Sequence, residues 1–140
     1  MDKRSWNILC WNIRGINALS KWDAVQQKIE EIACAGICLQ ETKRESFDSA
    51  FIRNFAPRRF DKFVSFPSVG LSGGLLVLWN SSVFLSNVVV AKPYATTIDF
   101  NACHDRSNWR LTSVYGTCHE PLRSEFVHWL RDLDLSVAEH

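Results

Sequence analysis

The stretch "CWNIRG", residues 10–15, lies within "SWNILCWNIRGIN", residues 5–17. This run of tryptophan, isoleucine, leucine and cysteine reads as a buried strand, yet it carries an asparagine, Asn12, in its middle. An amide taken out of water without a partner costs about 1–3 kcal/mol. Asn12 is therefore expected to be held either by a structural hydrogen bond to a neighbouring loop or by a polar site. The strand is expected over residues 6–14, closed by the turn signal "GIN".

Working outward, a helix follows. Ser20 is a plausible N-cap with Asp23 three positions later, Trp22, Val25, Ile29 and Ile32 recur at helical spacing, and Gly36 is expected to end the helix. "ICLQET" (37–42) is a short apolar run that turns polar, a second strand delivering Gln40 and Glu41 to a sheet edge. A strand–helix–strand unit aligns its strands in parallel, which brings Asn12 and Glu41 to the same edge. An amide and a carboxylate there make half of a hard-cation site, because magnesium takes oxygen ligands and keeps several waters. For Glu41 alone, a solvated acid at a strand end is the plainer reading.

Further along, Phe47, Phe51 and Phe55 lie four apart on a short helix that Pro57 is expected to terminate. "RFDKFVSF" alternates as a strand, "GLSGG" (70–74) reads as a hairpin turn, and "LLVLWN", "SNVVVAK", "TTIDFNA" and "WRLTSVYG" are four more strands. With no helices between them, these strands are expected to pair antiparallel. Pro121 suits the first turn of a last helix with Leu122, Phe126, Trp129, Leu130 and Leu133 on one face. Tyr115 ends the strand in "SVYG". It packs in the core with a wet hydroxyl or contacts a phosphate.

The 140 residues suit one domain. With 46% hydrophobic and 22% charged residues, the composition suggests neither disorder nor a membrane class, and no apolar run reaches the roughly 18 residues of a span. The N-terminus makes a poor signal peptide, so an intracellular place, nuclear or cytoplasmic, is expected with no membrane partner. Five cysteines without zinc spacing read as reduced, mostly buried thiols. The four histidines show no two-histidine metal spacing, and Lys43, Arg44, Arg58 and Arg59 read as a solvated face or as phosphate contacts. A net charge of +1 gives nucleic-acid binding no support, although a bound divalent metal would supply local positive charge.

The order "CWNIRG", "LQET", "SGGLLVLW", "SVYG" resembles the endonuclease/exonuclease/phosphatase superfamily, which includes apurinic endonucleases, deoxyribonuclease I, sphingomyelinases and inositol-phosphate phosphatases. With "WNIRG" at the start, "CLQETK" after the first helix, and "VYG" before "LRSEFVHWL", it is most similar to the endonuclease domain of plant non-LTR (LINE-type) retrotransposons. The resemblance implies an α/β (α+β) fold, a two-sheet β-sandwich flanked by helices of the deoxyribonuclease I-like kind. It implies magnesium, with manganese as an alternative, and DNA as partner. It also implies that Asn12 orients the scissile phosphate and the metal-bound groups, that Glu41 is a direct metal ligand and that Tyr115 contacts the phosphate. Arg14 departs from relatives with an acid at that place.

The family's later Gly-Asp-Phe-Asn and Ser-Asp-His stretches do not occur in residues 1–140. The chain is thus expected to be a C-terminally truncated domain, its N-terminal half to two-thirds. The implied chemistry is metal-dependent phosphodiester hydrolysis, a retrotransposon-type DNA nick that leaves a 3′-hydroxyl, with little or no activity from this chain alone. The other expectations are a phosphatase or phosphodiesterase of the same fold acting on a small or lipid phosphate, and a non-catalytic remnant binding nucleic acid or protein.

Overall fold

The computed structural model describes residues 7–68, 73–92, 94–114 and 122–132. Strand β1 (Ile8–Asn12) leads through helix α1 (Leu19–Ile32) into β2 (Gly36–Gln40), and the two strands pair in parallel with Asn12 opposite Gln40. After the one-turn helix α2 (Ser49–Ile52), the hairpin of β3 (Lys62–Phe66) and β4 (Leu75–Trp79) adds antiparallel to β2, giving the order β1-β2-β4-β3. Strands β5 (Phe84–Lys92), β6 (Ala95–Ala102) and β7 (Asn108–Val114) form a second, antiparallel sheet in the order β5-β6-β7, and helix α3 (Leu122–Asp132) follows. The expected helix-flanked two-sheet architecture is the one observed.

Alternation along β2 and β4 explains the layering. Ile37, Leu39, Leu76 and Leu78 point to a core shared with Val25 and Ile29 of α1 and with Ile52, Phe55 and Phe60. Their neighbours Cys38, Val77 and Trp79 point the other way, against Phe84, Ile98, Phe100 and Ala102 of the second sheet. Strands covered on both faces read as unbroken apolar runs, as "LLVLW" does. Across the outer side of the second sheet, Asp99 accepts two bonds from Arg110, which hold its carboxyl below the usual range.

Several local expectations need correction. Ser20 does not cap α1: Ala18 is the N-cap, without a side-chain bond. The reason lies in the preceding loop, where Trp22 Nε1 donates to the Ile16 carbonyl at 2.6 Å and Lys21 Nζ to that of Ile13 at 2.8 Å, so the helix starts earlier. Its end is also earlier, at Ala33 in the left-handed conformation, and Gly36 opens β2 instead. The phenylalanine helix shrinks to one turn capped by Asp48, and it stops well before Pro57. Phe47, Phe51 and Phe55 still meet edge-on at 5.7 and 6.0 Å without a continuous helix. On α3, Phe126 and Trp129 both pack on Tyr94, but Leu130 is 47% exposed. Tyr115, Pro121 and Leu133 lie outside the described residues, as does much of "GLSGG".

Candidate functional site

Parallel pairing carries β1 and β2 to a common C-terminal edge, and the ladder continues past both strands. Ile13 N–H donates to the Gln40 carbonyl, Gly15 N–H to that of Glu41 and Ile16 N–H to that of Thr42, at 3.0, 2.8 and 3.0 Å. On the other side, Thr42 and Lys43 N–H donate to the carbonyls of Gly74 and Gly73 at 3.1 and 2.9 Å. Three segments of chain are thus laced together around Glu41.

Asn12 departs from the expectation of a buried amide. It is exposed, because it is the last residue of the outermost strand of its sheet. By strand period it shares a face with Ile8, which packs toward the second sheet. Glu41 is half-buried, its side chain 22% exposed, and its Oε1 lies 3.9 Å from Lys43 Nζ. Gln40 ties the two sheets together, its side-chain amide donating to the Val114 carbonyl at the end of β7. That bond brings the last described residue before Tyr115 to the edge that carries Asn12 and Glu41.

The backbone here is strained. Arg14, Glu41 and Lys43 have φ of 54°, 57° and 56°, a left-handed conformation that side-chain-bearing residues seldom adopt. Such residues each cost about 1–3 kcal/mol and cluster at functional sites. Thr42 between them is fully buried, and its hydroxyl has no partner among the described residues. Thr42→Val keeps the shape and removes an unpaired buried hydroxyl, so it is expected to raise stability by about 1 kcal/mol in urea unfolding. A loss of stability would mean that the hydroxyl is bonded.

Lys43 and Arg44 are partly solvated, and each also has a partner. Lys43 faces Glu41, and the Arg44 guanidinium lies 3.5 Å above the Phe51 ring while donating to the Ser46 carbonyl and to Asn17 Oδ1 at 2.7 and 3.2 Å. Arg58 and Arg59 are exposed. Two of the four described cysteines are buried, Cys34 and Cys38, while Cys10 and Cys103 are exposed. A hydrogen bond with Cys38 draws the Cys10 thiol down to about 6 against the opposing effect of burial. The same bond, together with burial, raises Cys38 far above the usual thiol range.

The described residues contain no group of three or more histidine, cysteine, aspartate or glutamate side chains placed to hold a metal. What the edge offers is one half-buried carboxylate, already attracting a cationic side chain, and one exposed amide. That oxygen set fits a cation that keeps most of its waters, as magnesium does, and not zinc. The sequence reading missed Gln40 as the link between sheets, and it missed the pairing of Thr42 with Gly74. Neither residue type announces a tertiary contact.

No protein-family model and no curated protein sequence matches the chain. Solved structures do match. The AP endonuclease LMAP from Leishmania major superposes with a TM-score of 0.63 at 18% identity, over 80% of this chain and 40% of that one. The catalytic domain of Xenopus laevis APE2 superposes with a TM-score of 0.56 at 17% identity, over 89% of this chain and 51% of that one. Roughly half the length of either structure, or less, is spanned by this chain, which has the α/β two-sheet fold they share.

Proposed function

We propose that the chain carries the metal-side part of the site of a DNA-nicking endonuclease of the plant non-LTR retrotransposon kind, and that these 140 residues bind DNA without cutting it. The observation that carries this reading is the single edge formed by Asn12, Glu41 and the end of β7, joined by the parallel ladder and by the Gln40–Val114 bond. In this reading Glu41 holds a magnesium ion, Asn12 orients the scissile phosphate, and Tyr115, next along the chain from Val114, reaches a phosphate oxygen. The ion supplies positive charge for the oxygens that gain charge as water attacks in line. Exposed Arg14 and the Lys43 ammonium suit the phosphate backbone.

The proposed lack of cutting rests on the sequence: the Gly-Asp-Phe-Asn and Ser-Asp-His stretches, which the resemblance assigns to the base side of the reaction, do not occur in residues 1–140. General-base catalysis contributes about 100- to 10,000-fold to such reactions. The family name and the retrotransposon type rest on the sequence motifs, while the solved neighbours support a nuclease at the level of the fold.

The test is a supercoiled plasmid and an abasic-site duplex incubated with purified chain and magnesium. Retardation of DNA that weakens with salt is expected, with no nicking above background. Nicking abolished both by EDTA and by Glu41→Ala would overturn the inactivity. Failure to retard DNA at low salt would overturn the choice of partner.

A further inference from the structure

In the parallel ladder, Cys10 of β1 stands directly opposite Cys38 of β2. Both are free thiols. Paired strands lie about 4.8 Å apart, and a disulfide spans Cα separations of about 4.4–6.8 Å. Their side chains share a face: Cys38 packs in the cluster between the sheets, as does Ile8, which precedes Cys10 by one strand period. Access differs sharply between the two. Cys10 is exposed, whereas Cys38 is 1% exposed. Cys34 packs in the cluster on the helix side of the same sheet, and Cys103 lies in the turn after β6.

A buried cysteine acting as a small apolar side chain accounts for Cys38 alone. It does not account for an exposed cysteine set directly opposite it on the neighbouring strand. We propose that Cys10 and Cys38 form a dithiol–disulfide modification site, in which Cys10 meets a low-molecular-weight disulfide and Cys38 resolves the adduct. In the first step the Cys10 sulfur displaces one thiol from oxidised glutathione, forming a mixed disulfide and releasing one glutathione. In the second, the Cys38 sulfur attacks the Cys10 sulfur and releases the other glutathione. The two protein thiols are oxidised by two electrons, the glutathione disulfide is reduced by the same two, and the two thiol protons end on the two glutathione molecules. The strands are already paired, so the second step asks for side-chain rotation and no strand movement. The product staples β1 to β2 two residues before Asn12. The site stands on the strand register and is independent of the DNA reading.

The test exposes the folded chain to oxidised glutathione, quenches with acid, blocks remaining thiols and maps the peptides by mass spectrometry. The expected result is an intact mass lower by two hydrogens and a cross-linked pair of peptides carrying Cys10 and Cys38, both reversed by a thiol reductant. In Cys38→Ala, a glutathione adduct is expected to accumulate on Cys10; in Cys10→Ser, Cys38 is expected to stay reduced. A stable glutathione adduct on Cys10 of the unaltered chain would overturn the proposal, as would linkage of either residue to Cys34, Cys103 or Cys118. Mapping of the unaltered chain decides the matter even if the Cys38→Ala variant fails to fold.

Discussion

Replacing Gly74 by alanine is expected to lower stability by about 3 kcal/mol, read as the loss of unfolding free energy in urea. A Cβ there would lie 2.2 Å from Thr42 Oγ1, with Lys43 N at 3.3 Å and Thr42 Cβ at 3.4 Å behind it. Thr42 is fully buried and cannot swing into solvent. Nor can the segments part cheaply, since Thr42 and Lys43 are bonded to the carbonyls of Gly74 and Gly73. Overpacking of this kind costs about 1–3 kcal/mol. The backbone adds to it, because Gly74 has a φ of +95°, which an L side chain rarely adopts. The two contributions separate in a double substitution. Thr42→Ala in the Gly74→Ala background removes the clashing oxygen and should recover about 2 kcal/mol, leaving the backbone share. If Thr42→Ala recovers nothing, the close approach is not what makes glycine necessary at position 74.

The same contact shows where sequence reading stops. Periodicity found the strand–helix–strand unit, the antiparallel middle and the two strand ends bearing Asn12 and Glu41, because each depends on neighbours within a few residues. The Gly74–Thr42 approach joins positions far apart in the chain, and nothing local to "GLSGG" or "QET" marks it. Gln40 is similar: an amide after "ICL" reads as the polar end of a strand, and its bond to Val114 exists only once the second sheet has packed. Asn12 shows the converse error. The apolar letters around it implied burial, but the outermost place of β1 in its sheet leaves the last residue in water. Hydropathy reports how apolar a strand is, whereas sheet order decides whether its end is covered.

Strain at Glu41 leads to the second large effect. Manganese, read by electron paramagnetic resonance as a stand-in for magnesium, is expected to bind the unaltered chain weakly and saturably. Glu41→Ala should weaken that binding about tenfold or more, about 1.4 kcal/mol, because it removes the carboxylate that the described residues place at the Asn12–Glu41 edge. Glu41→Gly should lose the metal equally, yet be about 1 kcal/mol more stable than Glu41→Ala. Position 41 has a φ of +57°, which glycine adopts freely and alanine does not. A residue that costs stability where glycine would relieve it, and that is needed for the ion, is the signature of strain held for function. Lys43→Met gives a third reading of the same site. Its ammonium lies 3.9 Å from Glu41 Oε1 and would compete with a cation for it, so its removal should tighten manganese binding by about two- to threefold. Manganese affinity indifferent to Glu41→Ala would remove Glu41 from the metal site. Unchanged affinity in Lys43→Met would show instead that the ion sits on the side of the carboxylate away from the ammonium.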